Sequence, residues 1–74
     1  MSKMTDQIVR IVAAGGGVVV DSKDKQTNNL VRIAAAASNS GATVILKNAA
    51  SKQTDNLVRI AAAGKGNVIF DLTD

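Results

Sequence analysis

One pattern is written three times in this 74-residue chain. The stretches 3–11, 25–33 and 52–60 align without a gap, with Lys3, Lys25 and Lys52 at their starts. Arg10, Arg32 and Arg59 stand at one equivalent position, and Ile11, Ile33 and Ile60 at the next. Each block runs into alanines, then a Gly- or Ser/Asn-containing loop, then a short apolar run: Val18-Val19-Val20, Val44-Ile45-Leu46 and Val68-Ile69-Phe70. A repeated supersecondary unit cannot bury its apolar face alone, so the units must stack on one another. The blocks 26–36 and 53–63 differ at a single position, Asn28 against Asp55. Such agreement points to recent duplication, a consensus-like array or engineering.

Each unit reads as helix, loop, strand. On a helical wheel Met4, Thr5, Ile8, Val9, Ile11 and Val12 fall on one broad arc, with Lys3, Asp6, Gln7 and Arg10 opposite. Ser2, Asp24 and Ser51 each precede a block's first lysine and suit the N-cap, where a side-chain oxygen accepts an unpaired backbone N–H. Gly15, Gly41 and Gly64 stand where the chain leaves each helix. The pattern predicts helices near 3–14, 25–37 and 52–63, with strands near 17–21, 43–47 and 67–71. The whole chain is then one α/β repeat domain, with units at about 2–21, 24–47 and 51–71.

Alternating helices and strands make a parallel sheet with right-handed crossovers. The expected architecture is αβαβαβ, a small three-stranded parallel sheet in the order 1-2-3, with helices mainly on one face. Charge supports that order. Asp21, Lys47 and Asp71 end the three strands at equivalent positions, so a central second strand sets Lys47 between two carboxylates as structural ion pairs. Pairing strand one with strand three would oppose Asp21 to Asp71, which is unfavourable.

The strands are apolar on both faces. Val18, Val20, Val44, Leu46, Val68 and Phe70 form one alternation, and Val19, Ile45 and Ile69 the other. Strands of this kind need cover on both sides. Either helix one crosses to the far face, or a second copy covers a row of Val19, Ile45 and Ile69. The second reading makes these three the interface residues of a homo-oligomer, a dimer in the simplest case, or of a contact with another protein.

Composition narrows the chemistry. Cys and His are absent, as are Trp, Tyr and Pro, and Phe70 is the sole aromatic. That excludes thiolate and imidazole metal sites, His-dependent nucleophilic catalysis and aromatic stacking platforms. No cofactor, metal site or catalytic residue is expected. Gly15-Gly16-Gly17 follows a helix and precedes a strand, the reverse of a phosphate loop, and reads as a turn. Asp21, Asp71 and Asp74 near strand ends suggest magnesium only weakly, because Lys47 neutralises two of them.

Nine basic residues against six acidic ones give a net charge of +3. Lys3, Arg10, Lys25, Arg32, Lys52 and Arg59 form a regular stripe that side-by-side helices would turn into a basic ladder. Asp6 and Asp55 precede Arg10 and Arg59 by one helical turn, so intrahelical pairs are expected there, with Arg32 left unpaired by Asn28. No apolar run approaches the ~20 residues of a membrane span, and no secretory signal is legible, so a cytoplasmic chain without membrane contact is expected.

Three functional readings follow. The first is a non-enzymatic structural module that self-associates or binds a protein through an apolar sheet face. The second is weak, sequence-nonspecific nucleic-acid or anion binding along the basic ladder, which salt would abolish. The third is an engineered or reconstructed repeat without biochemical activity.

Overall fold

A computed structural model describes residues 4–73. Three helices, α1 (Thr5–Ala13), α2 (Thr27–Ser40) and α3 (Thr54–Gly64), alternate with three strands, β1 (Val18–Asp21), β2 (Val44–Lys47) and β3 (Val68–Phe70). The strands are parallel, in the order β1-β2-β3. Val18, Val44 and Val68 share one level of the sheet, Val19, Ile45 and Ile69 the next, and Val20, Leu46 and Phe70 the third.

The alternation in each strand decides which way its side chains go. Val20, Val44 and Leu46 point to the helices and are buried. They join Leu30, Ile33, Ala34 and Ala37 of α2 and Ile60 of α3 in one core. Ile8 and Val12 of α1 belong to the same cluster. Helix α1 therefore lies beside α2 on the covered face and does not cross to the other. The alanines at 34 and 37 are fully enclosed, which lets the helix backbones approach closely over a thin sheet.

The helices begin later than the capping pattern suggests. Asp24 and Ser51 end short 3-10 turns, Ser22–Asp24 and Ala49–Ser51, and Lys25 and Lys52 are extended. The N-caps are Met4, Gln26 and Gln53. Ser2, the third expected cap, lies outside the described residues. Asp24 and Ser51 stand two residues before the observed caps because Ser and Asp serve 3-10 turns as readily as helix caps.

The helix ends also differ from expectation. Helix α2 runs on to Ser40 and stops at Gly41, whose φ of 82° is left-handed and whose N–H donates to the Ala37 carbonyl at 2.9 Å. Gly64 is no turn residue. It is buried in the last turn of α3, where an added Cβ would stand 2.3 Å from Val68 Cγ2. Lys65, with φ of 49°, makes the turn instead.

Among the described residues one buried hydroxyl has no hydrogen-bond partner, Ser22 Oγ. Its counterpart in the next unit is Ala49, equally enclosed. Ser22→Ala removes an unsatisfied polar group from a site already shaped for a methyl. It is expected to raise stability by about 1 kcal/mol, read as a higher urea midpoint at unchanged slope.

Candidate functional site

The sheet has one covered face and one open face. Val19, Ile45 and Ile69 are register partners, so their side chains leave the open face at one level, strand beside strand. Val19 is 61% exposed and Ile69 53%. Ile45, flanked by both, is half-buried. Three β-branched side chains at a strand spacing of ~4.8 Å form an apolar bar across the sheet. These were the residues expected at an interface, and the structure brings all three together without covering them.

Polar groups border the bar. Two residues further along, on the same face, come Asp21, Lys47 and Asp71. Asp21 and Lys47 are register partners. The carboxylates do not take Lys47 as a direct ion-pair partner, however. Asp21 Oδ1 accepts from Asn48 Nδ2 at 3.0 Å and from the Lys23 N–H at 2.9 Å. Asp71 Oδ1 accepts from the Thr73 N–H at 3.0 Å and from its hydroxyl. The short turns after each strand bring these donors nearer than the long Lys47 side chain.

Those hydrogen bonds hold both carboxyls below the ordinary value of 3.8, from Asn48 first for Asp21 and from Thr73 first for Asp71, with Lys47 adding a smaller Coulombic pull. A carboxyl whose folded pKa is depressed stabilises the fold above its unfolded pKa, and that contribution fades as pH falls through the folded value. The melting temperature is therefore expected to hold steady from pH 7 to 5 and to fall as pH drops below about 4. Asp21→Asn should flatten part of that acid limb in a calorimetric pH series.

The basic ladder is largely spent on joining the units. Arg32 Nη2 donates to Asp6 Oδ1 of the preceding helix at 2.6 Å. Arg59 Nη2 donates to Asn28 Oδ1 at 3.1 Å, again one helix back. Lys52 Nζ donates to the Lys25 carbonyl at 2.7 Å. The intrahelical Asp6–Arg10 and Asp55–Arg59 pairs do not form, and Arg32 is the arginine that finds a carboxylate. A wheel drawn for one helix has no neighbour on it, so it cannot show a partner across the groove. Lys25 and Lys52 lie before their helices, not on them, and Lys3 lies outside the described residues.

The three glycines at 15–17 form the turn from α1 to β1, as expected. Gly15 has φ of 100°, and a Cβ on Gly16 would meet Ile11 Cγ2 at 2.8 Å. Among the described residues no group of three acidic side chains is placed to hold a metal ion, and Asp74 lies outside them. Among those residues, too, no helix is long and apolar enough to cross a membrane.

Beside Val19 and Ile69, the exposed large apolar side chains are Met4, Leu72 and two that belong to the repeated helical arc, Ile11 and Val58. Both sit on the apolar arc of their helices. Only their place in the first and last units exposes them, and that is a property of the stack.

No protein family, curated protein or solved structure matches the chain.

Proposed function

We propose that this chain is a non-enzymatic interaction module that associates with a second copy of itself, or docks on another protein, through Val19, Ile45 and Ile69. The observation that carries this reading is the level apolar bar on an uncovered sheet, bordered by charge. A dry apolar centre with a polar rim is the common anatomy of protein interfaces.

Size sets the strength. Three strands of about four residues present roughly 200 Å² of flat area, against about 800 Å² per partner in a standard interface. The contact is therefore weak and concentration-dependent. Because its centre is apolar, it survives high salt, which distinguishes it from phosphate binding by the arginines. Light scattering on a sizing column, at low and at high salt, tests the reading. A dimer at high protein concentration in both buffers supports self-association. A monomer throughout leaves only a foreign protein partner for this face.

A further inference from the structure

The middle unit shows what a flanked unit looks like, and the outer units depart from it in opposite senses. Ile33 and Ile60 are fully buried, whereas their counterpart Ile11, in the first unit, is 43% exposed. That position therefore faces the preceding unit. Val58 is 60% exposed, whereas Val9 and Val31 are half-buried. Ala61 is exposed, whereas Val12 and Ala34 are enclosed. Those positions face the following unit. The first unit also carries an open cleft of about 180 Å³ between α1 and β1, lined by Ile8, Ile11, Val18 and Val20 among others. The equivalent residues of the middle unit, Leu30, Ile33, Val44 and Leu46, are at most 1% exposed.

Charge follows the same direction. Arg32 and Arg59 reach back to Asp6 and Asn28, equivalent positions in the unit before each. This leaves the side chains of Arg10 at the head and Asp55 at the tail without hydrogen-bond or ion-pair partners among the described residues. The backbone follows it too. The Val18 N–H donates to the Thr43 carbonyl at 3.2 Å, and the Val44 N–H to the Asn67 carbonyl at 2.9 Å. One more step of that series sets the Val68 N–H against a Gly17 carbonyl.

We propose that the head of a second copy (α1 and β1) docks on the tail of the first (α3 and β3), continuing the parallel sheet and the helix layer. The occupant is this same chain because the contact it would make already exists twice within the molecule. Arg10 of one copy meets Asp55 of the other, Ile11 lies over Val58 and Ala61, and β1 pairs with β3. The contact joins two different surfaces, so it builds rings or open filaments rather than closed dimers. It shares no residue with the open-face reading except at strand edges, and does not depend on it.

One element opposes the junction. The continued register sets Asp21 of one copy beside Asp71 of the other, like charges on adjacent strands. This weakens the contact and provides a lever on it. Asp71→Lys would reproduce at the junction the Asp21–Lys47 register pair found inside the molecule.

The test is weight-average mass by sedimentation or light scattering, up to about 1 mM chain, with folding followed by far-UV circular dichroism. The parent chain should grow beyond a dimer as concentration rises. Arg10→Asp and Asp55→Arg, both at exposed positions, should each weaken growth about tenfold. Their equimolar mixture should restore it, since each reversed head then meets an oppositely reversed tail. Asp71→Lys should strengthen growth about fivefold. Masses that level off at monomer or dimer for the parent and for Asp71→Lys would overturn the proposal. So would growth that single reversals and their mixture leave unchanged. The residual mass of the singly reversed chains, monomer or dimer, reports separately on the open face.

Discussion

Ile33→Ala is expected to lower stability by about 3–4 kcal/mol. The total for a chain of this length is on the order of 4–11 kcal/mol, so roughly a quarter or more of it would be lost. Ile33 is wholly buried in α2, the one helix with a neighbour on either side, and lies in the core with Leu46 and Ile60. Its removal takes away transfer free energy and leaves a void between alanine-rich helices whose small side chains cannot swing in to fill it. The melting temperature should fall by roughly 20 °C, given about 4–8 °C per kcal/mol at this size. Val19→Ala makes the control, since its side chain already lies mostly in water. A loss below about 1 kcal/mol for Ile33→Ala would mean that α2 does not rest on the sheet at this point.

Ile45→Lys is the second large expectation. The substituted chain should be monomeric in its face-to-face contact at concentrations where the parent pairs, with an almost unchanged far-UV spectrum. The side chain leaves the open face at the centre of the bar, where a lysine stem can lie along Val19 and Ile69 while its ammonium group reaches water. In a face-to-face pair two such ammonium groups would be forced into one apolar contact, and neither would have a partner. Collapse of the helical spectrum would instead place Ile45 in the core of the single chain. Retention of the dimer would move the contact elsewhere.

Much of the architecture was legible because the chain states it three times. The β-branched runs, each after a helix-length apolar arc, located β1, β2 and β3 to within a residue or two of their observed ends. The charges of Asp21, Lys47 and Asp71 pointed to the observed strand order, although the two carboxylates then bond to Asn48 and Thr73 instead of to Lys47. The bar of Val19, Ile45 and Ile69 was legible for the same reason, since period-two alternation leaves no other place for it.

What escaped were properties that belong to pairs of units. Two-sided apolar strands fit either a helix crossing the sheet or a bare face. Only the packing of Ile8 and Val12 into the common core decides between them. Arg32 looked partnerless because its acceptor, Asp6, is distant in sequence and adjacent only after stacking. Gly64 looked like a turn because glycine often is one. Its actual constraint, the nearness of Val68, exists only once β3 has docked under α3.

Among the described residues the side-chain bonds that stitch the units together run between nearest neighbours: Arg32 to Asp6, Arg59 to Asn28, Asn48 to Asp21, Ser40 Oγ to the Val12 carbonyl at 2.6 Å, Lys52 to the Lys25 carbonyl, and Asn67 Nδ2 to the Ala42 carbonyl at 2.9 Å. Among these stitches none joins the first unit to the third. A unit added at either end would therefore disturb no bond already made, and the arginine bond, present at both junctions, is the stitch that such a unit could repeat. Copying of one unit leaves blocks as alike as 26–36 and 53–63, and so does a designed consensus.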